Sequence, residues 1–160
     1  MTDRDRLGRT AVHYAAGGGD VDGLRALLAE GADPGVADGN GWAPLHFAAQ
    51  AQVPAAVEVL LDRGAAVDVV DRHGNTPLWR AVFCSRGEGG TIRLLLEAGA
   101  DPDRDNAQGV SPRALAERID NHDVAVHLPV GDGTSSQADR PREGDQSNPT
   151  NPNGLADPRR

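Results

Sequence analysis

Residue types that build thick cores, disulfides or membrane spans are scarce in this sequence. Aromatic residues make up 3% of the 160-residue chain, and because aromatic side chains bury the largest areas, a thick central core is not expected. Cys84 is the single cysteine, which excludes an intramolecular disulfide and a cysteine metal cluster. No stretch approaches the roughly eighteen consecutive apolar residues of a membrane span, and the start, MTDRDRLGRT, lacks the apolar run of a signal peptide. These absences favour a cytoplasmic protein without a membrane partner.

Lysine is absent as well, so all 16 basic residues are arginines, and they face 24 acidic residues. The resulting formal net charge of −8 lacks the basic footprint of a nucleic-acid binder, and nucleic acid is therefore not expected as a partner. The arginine-only usage, together with abundant Ala, Gly and Asp, suggests a GC-rich bacterial genome.

The chain does contain a clear internal repeat. Gly8, Gly41 and Gly74 each end a D-x-x-G segment and are spaced 33 residues apart, and Gly109 follows 35 residues later. The two additional residues fall in the SRGEGG stretch, Ser85–Gly90. Periods of this length are typical of stacked repeat proteins. This spacing indicates four copies, with boundaries at about 5–37, 38–70, 71–105 and 106–128.

The composition changes after the fourth copy. Residues 129–160 are rich in Pro, Gly, Asp, Ser and Asn, and Val130 and Leu155 are their only larger apolar residues. Such a segment buries too little apolar surface to offset its ordering entropy. The sequence therefore predicts a folded domain over 1–128 and a disordered tail over 129–160.

The repeated motifs resemble those of the ankyrin repeat. A turn of the form D-x-x-G recurs as DRHG, the helix start as NTPLWRAV and APLHFAA, and the close of the second helix as LLAEGADP and LLLEAGADP. The resemblance covers residues 5–128. It implies an all-α solenoid of four helix–turn–helix repeats joined by β-hairpin-like loops, and a non-catalytic module that binds another protein without a cofactor or metal.

Individual residues fit the start and end of each predicted helix. Hydroxyl side chains are placed to cap the first helices, proline follows at the first helical position, and glycine closes the second helices. The caps are Thr10, Thr76 and Ser111, the prolines Pro44, Pro77 and Pro112, and the closing glycines Gly31, Gly64 and Gly99. The second copy has Ala43 at the cap position.

His13 and His46 occupy the same place in successive copies. The ankyrin resemblance implies that this histidine joins neighbouring loops by hydrogen bonds. A metal pair is the alternative, but the third copy has Trp79 at this place and the fourth has Ala114, so no third ligand recurs in phase.

The resemblance also implies that a partner is contacted by the concave surface, which the turn tips and first helices line. Trp and Arg are the residues most enriched at binding hot spots, so Trp42 beside Arg72, His73 and Phe83 is the preferred centre. Two alternatives stand beside this: Trp42 packs on the neighbouring loop, and Phe83 lies in the core. The full candidate set is Arg6, Arg9, Asn40, Trp42, Gln50, Arg72, His73, Asn75, Phe83 and Gln108.

Some residues of the sequence also suggest functions other than simple binding. Cys84 and His73 are of the residue types that serve as nucleophile and base in thiol enzymes, but no sequence pattern places them together. SRGEGG lacks the context of a phosphate loop and predicts a lengthened turn, with a contact loop as the functional alternative. Similarity to compact bacterial ankyrin proteins suggests a monomeric acidic inhibitor or immunity protein for a basic effector. A scaffold whose tail docks elsewhere is the remaining alternative.

Overall fold

A computed structural model describes residues 3–119 and 127–129 of the chain. These residues contain seven α-helices and no β-strand. In chain order the helices are α1 Ala11–Gly18, α2 Val21–Ala29, α3 Pro44–Gln50, α4 Pro54–Asp62, α5 Pro77–Cys84, α6 Gly90–Glu97 and α7 Pro112–Arg118.

The first helices of the third and fourth repeats begin with the predicted caps, whereas the Thr10 hydroxyl lies against the His13 ring at 3.1 Å and does not cap α1. Thr76 accepts a hydrogen bond from the backbone N–H of Trp79 at 3.1 Å, and Ser111 accepts one from Ala114 at 3.1 Å. Proline occupies the first position of α3, α5 and α7, where a helix has no use for the missing N–H. Ala43 has no capping hydroxyl, and its backbone N–H donates to the His46 ring at 3.1 Å, as the N–H of Thr10 does to the His13 ring.

The helices form two layers around a thin aliphatic core. Helices α1, α3, α5 and α7 pack successively against one another, and α2, α4 and α6 cover them from one side. Fully buried leucines come from both layers and include Leu24, Leu45, Leu60, Leu78 and Leu95. Fully buried alanines let neighbouring helices approach, and each repeat therefore buries its apolar surface against the next.

Four hairpin-like turns precede the first helices and bond to one another in series. Within each turn an Asp or Asn side chain accepts two backbone N–H groups, as Asp71 does from His73 and Asn75. Between turns, the N–H groups of Gly39, Arg72 and Ala107 donate to the carbonyls of Leu7, Asn40 and His73 at 2.7, 3.0 and 2.9 Å. This ladder of tip hydrogen bonds joins all four turns.

Gly74 shows why the turns need glycine. Its φ is +78°, and a Cβ at this position would lie 2.9 Å from the backbone nitrogen of Ala107 in the next turn. Both the left-handed backbone and the close approach exclude a side chain.

His13 and His46 tie adjacent repeats, as the resemblance implies. Both are fully buried. In each, Nδ1 accepts a backbone N–H from its own helix start, and Nε2 donates to a carbonyl of the next turn: His13 to Trp42 and His46 to Asn75, both at 2.9 Å. Burial lowers the pKa of both rings, so they are neutral. With both ring nitrogens engaged, neither histidine is a metal ligand.

The third repeat carries the predicted insertion. Residues 85–89 separate α5 from α6, whereas residues 51–53 separate α3 from α4. Gly87 has a φ of +94° and donates to the Ser85 hydroxyl at 3.2 Å, which closes the longer turn. The prediction of a lengthened turn between two helices is confirmed.

The fourth repeat is described as far as its first helix. Arg113, at the position of Leu45 and Leu78, forms an ion pair with Asp103 at 2.6 Å and gives the last helix a polar contact. The predicted second helix falls largely on residues 120–126, outside the described residues. The predicted disordered tail beyond Pro129 lies outside them too, and the boundary at 128 stays a prediction.

Candidate protein-binding surface

The predicted contact residues all lie in the four turns and in α3 and α5. We call these turns, with helices α1, α3, α5 and α7, the first-helix layer. Six of the ten side chains are exposed, three are half-buried and one is buried. The exposed residues are Arg6, Gln50, Arg72, His73, Phe83 and Gln108; Arg9, Asn40 and Trp42 are half-buried, and Asn75 is buried.

The prediction that Asn75 contacts a partner is wrong. Its side chain is 5% exposed, and its amide donates towards Asp71 and accepts from the Asn106 amide at 2.7 Å. It therefore joins the third and fourth turns and is not presented to a partner.

Trp42 lies at the centre of a cluster of aromatic side chains and one arginine. Its ring packs edge-on against Phe47, with centroids 5.2 Å apart, and Arg80 from the next repeat lies over its face at 4.2 Å. Arginine over tryptophan is a favourable cation–π geometry. Trp42 therefore packs against its neighbours, and one face of its ring is covered by the Arg80 guanidinium.

Asp71 holds Arg80 in this position. The Arg80 guanidinium donates to the buried Asp71 carboxylate at 2.8 Å. Burial alone would raise the pKa of Asp71, but the hydrogen bonds from Arg80 and from the Asn75 and His73 N–H groups outweigh it and lower the pKa. Asp71 is thus ionised, and the same carboxylate orders the turn and orients the arginine. The Arg80 Nε finds no hydrogen-bond partner among the described residues.

Phe83 extends the cluster to the solvent. Its ring stacks on Trp79, with centroids 5.3 Å apart and planes 12° from parallel, yet 55% of the residue is exposed. The alternative of a core position for Phe83 is wrong. We call Trp42, Phe47, Trp79, Arg80 and Phe83 the aromatic–arginine cluster.

An open groove of about 520 Å³ lies beside Phe83. One wall is the end of α3 and the following turn, Gln50–Gln52, and the other is the inserted loop from Ser85 to Glu88. Gln52 connects the two repeats because its amide donates to the carbonyl of Ala81 at 2.9 Å. The insertion therefore forms part of the surface next to the cluster.

Cys84 also lines this groove, but it lacks the features of a reactive thiol. Burial raises its pKa, so the thiolate is disfavoured. It ends α5, whereas His73 lies in the turn before that helix begins, and a rise of about 1.5 Å per residue separates the two by more than about 10 Å. Nothing in this geometry pairs the cysteine with the histidine.

The first repeat contributes a smaller polar cluster. Arg9 forms an ion pair with Asp5 at 2.9 Å and lies 5.1 Å from the centroid of the Tyr14 ring. The Tyr14 hydroxyl donates to Asp5 and, with the N–H groups of Arg9 and Leu7, holds the pKa of that carboxyl below its ordinary value. Tyr14 remains 53% exposed.

Within residues 3–119 and 127–129, no group of three or more His, Cys, Asp or Glu side chains is arranged to hold a metal ion. In the same part of the chain, every helix is too short or too polar to cross a membrane.

Residues 12–106 match the family model for ankyrin repeats (3 copies). This match covers more than half of the chain, in the region where the tip ladder and the two helix layers lie. The chain belongs to the ankyrin-repeat family.

Similar ankyrin-repeat segments occur in proteins that are otherwise unlike one another. The chain is 34% identical over 125 residues to a neurogenic locus notch homolog protein 1 from Danio rerio, which covers 78% of this chain and 5% of that protein. It is 36% identical over 122 residues to the E3 ubiquitin-protein ligase KEG from Arabidopsis thaliana, covering 74% and 8%. It is 31% identical over 113 residues to a human transient receptor potential cation channel, subfamily A member 1, covering 70% and 10%.

The chain thus spans a tenth or less of the length of these relatives. What they share with it is the ankyrin-repeat module, a fold that mediates protein–protein interaction.

Sequence reasoning missed the half-buried Trp79 and Arg80 of the aromatic–arginine cluster and the exposed Tyr14 of the first repeat. Trp79 occupies the place of His13 and His46, and this departure from the repeat was the available signal. Arg80 follows it and lies where Phe47 lies one repeat earlier. The cation–π contact depends on helix packing between repeats, which spacing alone does not reveal.

Proposed function

We propose that this chain is a non-catalytic binding module that grips a partner protein with its first-helix layer, centred on Trp42, Arg80 and Phe83. The observation that carries the proposal is that Phe83 is exposed while its ring is held in place by Trp79. The Phe83 ring is already stacked on Trp79, and Arg80 is already held by the buried Asp71 carboxylate. Binding of a partner to these side chains therefore costs little side-chain entropy.

The distribution of exposed apolar side chains supports the same surface. Among the described residues, five large apolar side chains are exposed: Leu7, Tyr14, Val70, Phe83 and Ile119. Leu7 and Tyr14 lie in the turn and first helix of the first repeat, and Phe83 lies in the first helix of the third. Exposed apolar groups that share one side of a protein favour an interaction site.

The test is affinity capture from an extract of the source cells with three versions of the chain as bait. Phe83→Ser removes the apolar anchor, and Val70→Ser is the matched control, since it removes an exposed apolar side chain outside the first-helix layer. We expect a protein that is retained by the native chain and by Val70→Ser and is reduced about tenfold or more on Phe83→Ser. Thermal unfolding checks that both variants are folded. Equal capture by both variants contradicts the proposed surface.

The inhibitor or immunity role and the scaffold role stay predictions, because each needs a partner to be known. Monomeric state, cytoplasmic location and bacterial origin likewise stay predictions.

A further inference from the structure

The charges of the chain are divided between its two layers. The first-helix layer, residues 5–18, 38–50, 71–84 and 106–119, contains six arginines and four acidic residues. The second helices and their connections, residues 19–37, 51–70 and 85–105, contain five arginines and twelve acidic residues. The acidic excess of the described repeats therefore lies in the second layer, and the proposed binding surface carries a small positive excess. The six arginines are Arg6, Arg9, Arg72, Arg80, Arg113 and Arg118.

The acidic residues of the first-helix layer are mostly engaged inside the turns. Asp5, Asp38 and Asp71 each accept two backbone N–H groups of their own turn through one carboxylate oxygen. The second oxygen of Asp5 contacts Arg9 and Tyr14, and that of Asp71 contacts Arg80. Because these carboxylates accept hydrogen bonds within their own turns, they repel an acidic partner less than the number of acidic residues suggests.

The tip arginines, in contrast, are exposed and have no carboxylate partner within the described residues. Arg6 lies at the first turn tip, and Arg72 lies at the third, where a neutral acceptor, the Asn40 side chain, holds its guanidinium at 2.8 Å. Guanidinium groups bind carboxylates in a paired geometry that no neutral acceptor reproduces. Each tip arginine is therefore available for an incoming carboxylate.

Apolar groups lie on the same layer as these arginines. Leu7 adjoins Arg6 at 48% exposure, and Phe83 follows Arg80 on α5 beside the groove of about 520 Å³. A complementary partner must offer carboxylates to the tips and apolar side chains to the helix surface. A basic effector, expected from the net charge of the chain as a whole, does not fit this local pattern.

We propose that the first-helix layer binds an acidic protein segment that also carries apolar side chains, with Arg6 and Arg72 pairing its carboxylates and Phe83 its apolar residues. This rests on the proposed function. Nucleic acid is the other polyanion to consider, but its phosphates recur every ~3.4 Å along a strand and need a continuous basic track. Arg6 and Arg72 lie two repeats apart, and Gly39 and Ala107 occupy the corresponding tip positions between and beyond them.

The experiment is a selection of random displayed peptides on the full-length chain. The enriched sequences are then synthesised and their affinities measured by fluorescence anisotropy. Arg6→Gln with Arg72→Gln is the test variant. Arg25→Gln with Arg63→Gln is the matched control, because it removes the same charge from exposed residues of the second helices and their ends. Phe83→Ser is measured alongside.

We expect enriched peptides rich in Asp and Glu with interspersed apolar residues, whose affinity falls roughly tenfold or more in the test variant and stays within about twofold in the control. Neutral or basic peptides that lose binding on Phe83→Ser would overturn the acidic partner and leave the proposed function standing. The failure to enrich any peptide, or binding equal in all variants, would overturn both. Tighter binding of single-stranded oligo-dT than of any selected peptide would overturn a protein segment as the occupant.

Discussion

At the scale of single residues, the two buried histidines are the clearest case of one side chain performing the same task in successive repeats. Each ring accepts from its own helix start and donates to the next turn, and this requires the neutral tautomer with its proton on Nε2. A second proton would break the bond to Nδ1 and place a charge in the core. Stability is therefore coupled to pH.

The direction of this coupling follows from the lowered pKa values. Above pH about 6.5, the ordinary histidine pKa, the rings are neutral in both the folded and the unfolded chain. Below it the unfolded chain takes up protons that the folded chain excludes, so stability falls by up to about 1.4 kcal/mol per pH unit for each histidine. We expect urea midpoints that are level from pH 8 to about 7 and that decline from about pH 6.5 towards 5.

A single exposed histidine provides the control. His13→Gln is expected to flatten the decline, since it removes one of the two excluded protons, and His73→Gln at the third turn tip is expected to leave it unchanged. An identical decline in native chain and His13→Gln would contradict the role assigned to the buried ring. Carboxylates such as Asp71, with an ordinary pKa of 3.8, titrate below this window.

At the scale of elements, helix starts and turns were the most predictable features, and packing between helices the least. Thr76, Ser111 and the three prolines act within a few residues of themselves, so a local pattern suffices to place them. The location of the insertion followed from counting alone. Asn75 was misplaced because its burial depends on Asn106, 31 residues later, and a turn position says nothing about that contact.

The aromatic–arginine cluster could be predicted only in part for the same reason. Trp42 and Phe83 were recognised as candidates from residue type and position. Arg80 was not, because its place over Trp42 requires the second turn to lie beside α5 and Asp71, in the third turn, to hold the guanidinium. Those are three separate elements of the chain.

Two glycines that differ in their surroundings test the turn geometry. Gly74→Ala is expected to destabilise the chain by about 1–3 kcal/mol, because alanine is strained at positive φ and its methyl group meets the next turn. Gly18→Ala, on α1 with open space around it, is expected to be neutral or to stabilise by up to about 1 kcal/mol. Urea unfolding measures both, and a neutral Gly74→Ala would show that the turns approach less closely than described.

At the scale of the whole molecule, the charged residues and the exposed aromatic side chains are distributed unevenly between the two layers. Within the described repeats, the second layer carries twelve of the sixteen acidic residues, whereas the first-helix layer carries six of the eleven arginines and the exposed aromatic side chains. A net charge calculated over the sequence averages these two layers, and so it predicts the sign of the overall field but not that of the proposed binding surface.

The ladder of tip hydrogen bonds has a consequence for the exchange of amide protons with solvent. The turns are the most superficial part of the repeats, yet the amides of Gly39, Arg72 and Ala107 are each held by the preceding turn. Arg6, the equivalent residue of the first turn, donates to no acceptor among the described residues. Deuterium uptake followed by NMR should therefore be fast at Arg6 and slowed at the other three. Because each amide is released when two adjacent repeats part, their individual rates report the order in which the interfaces open.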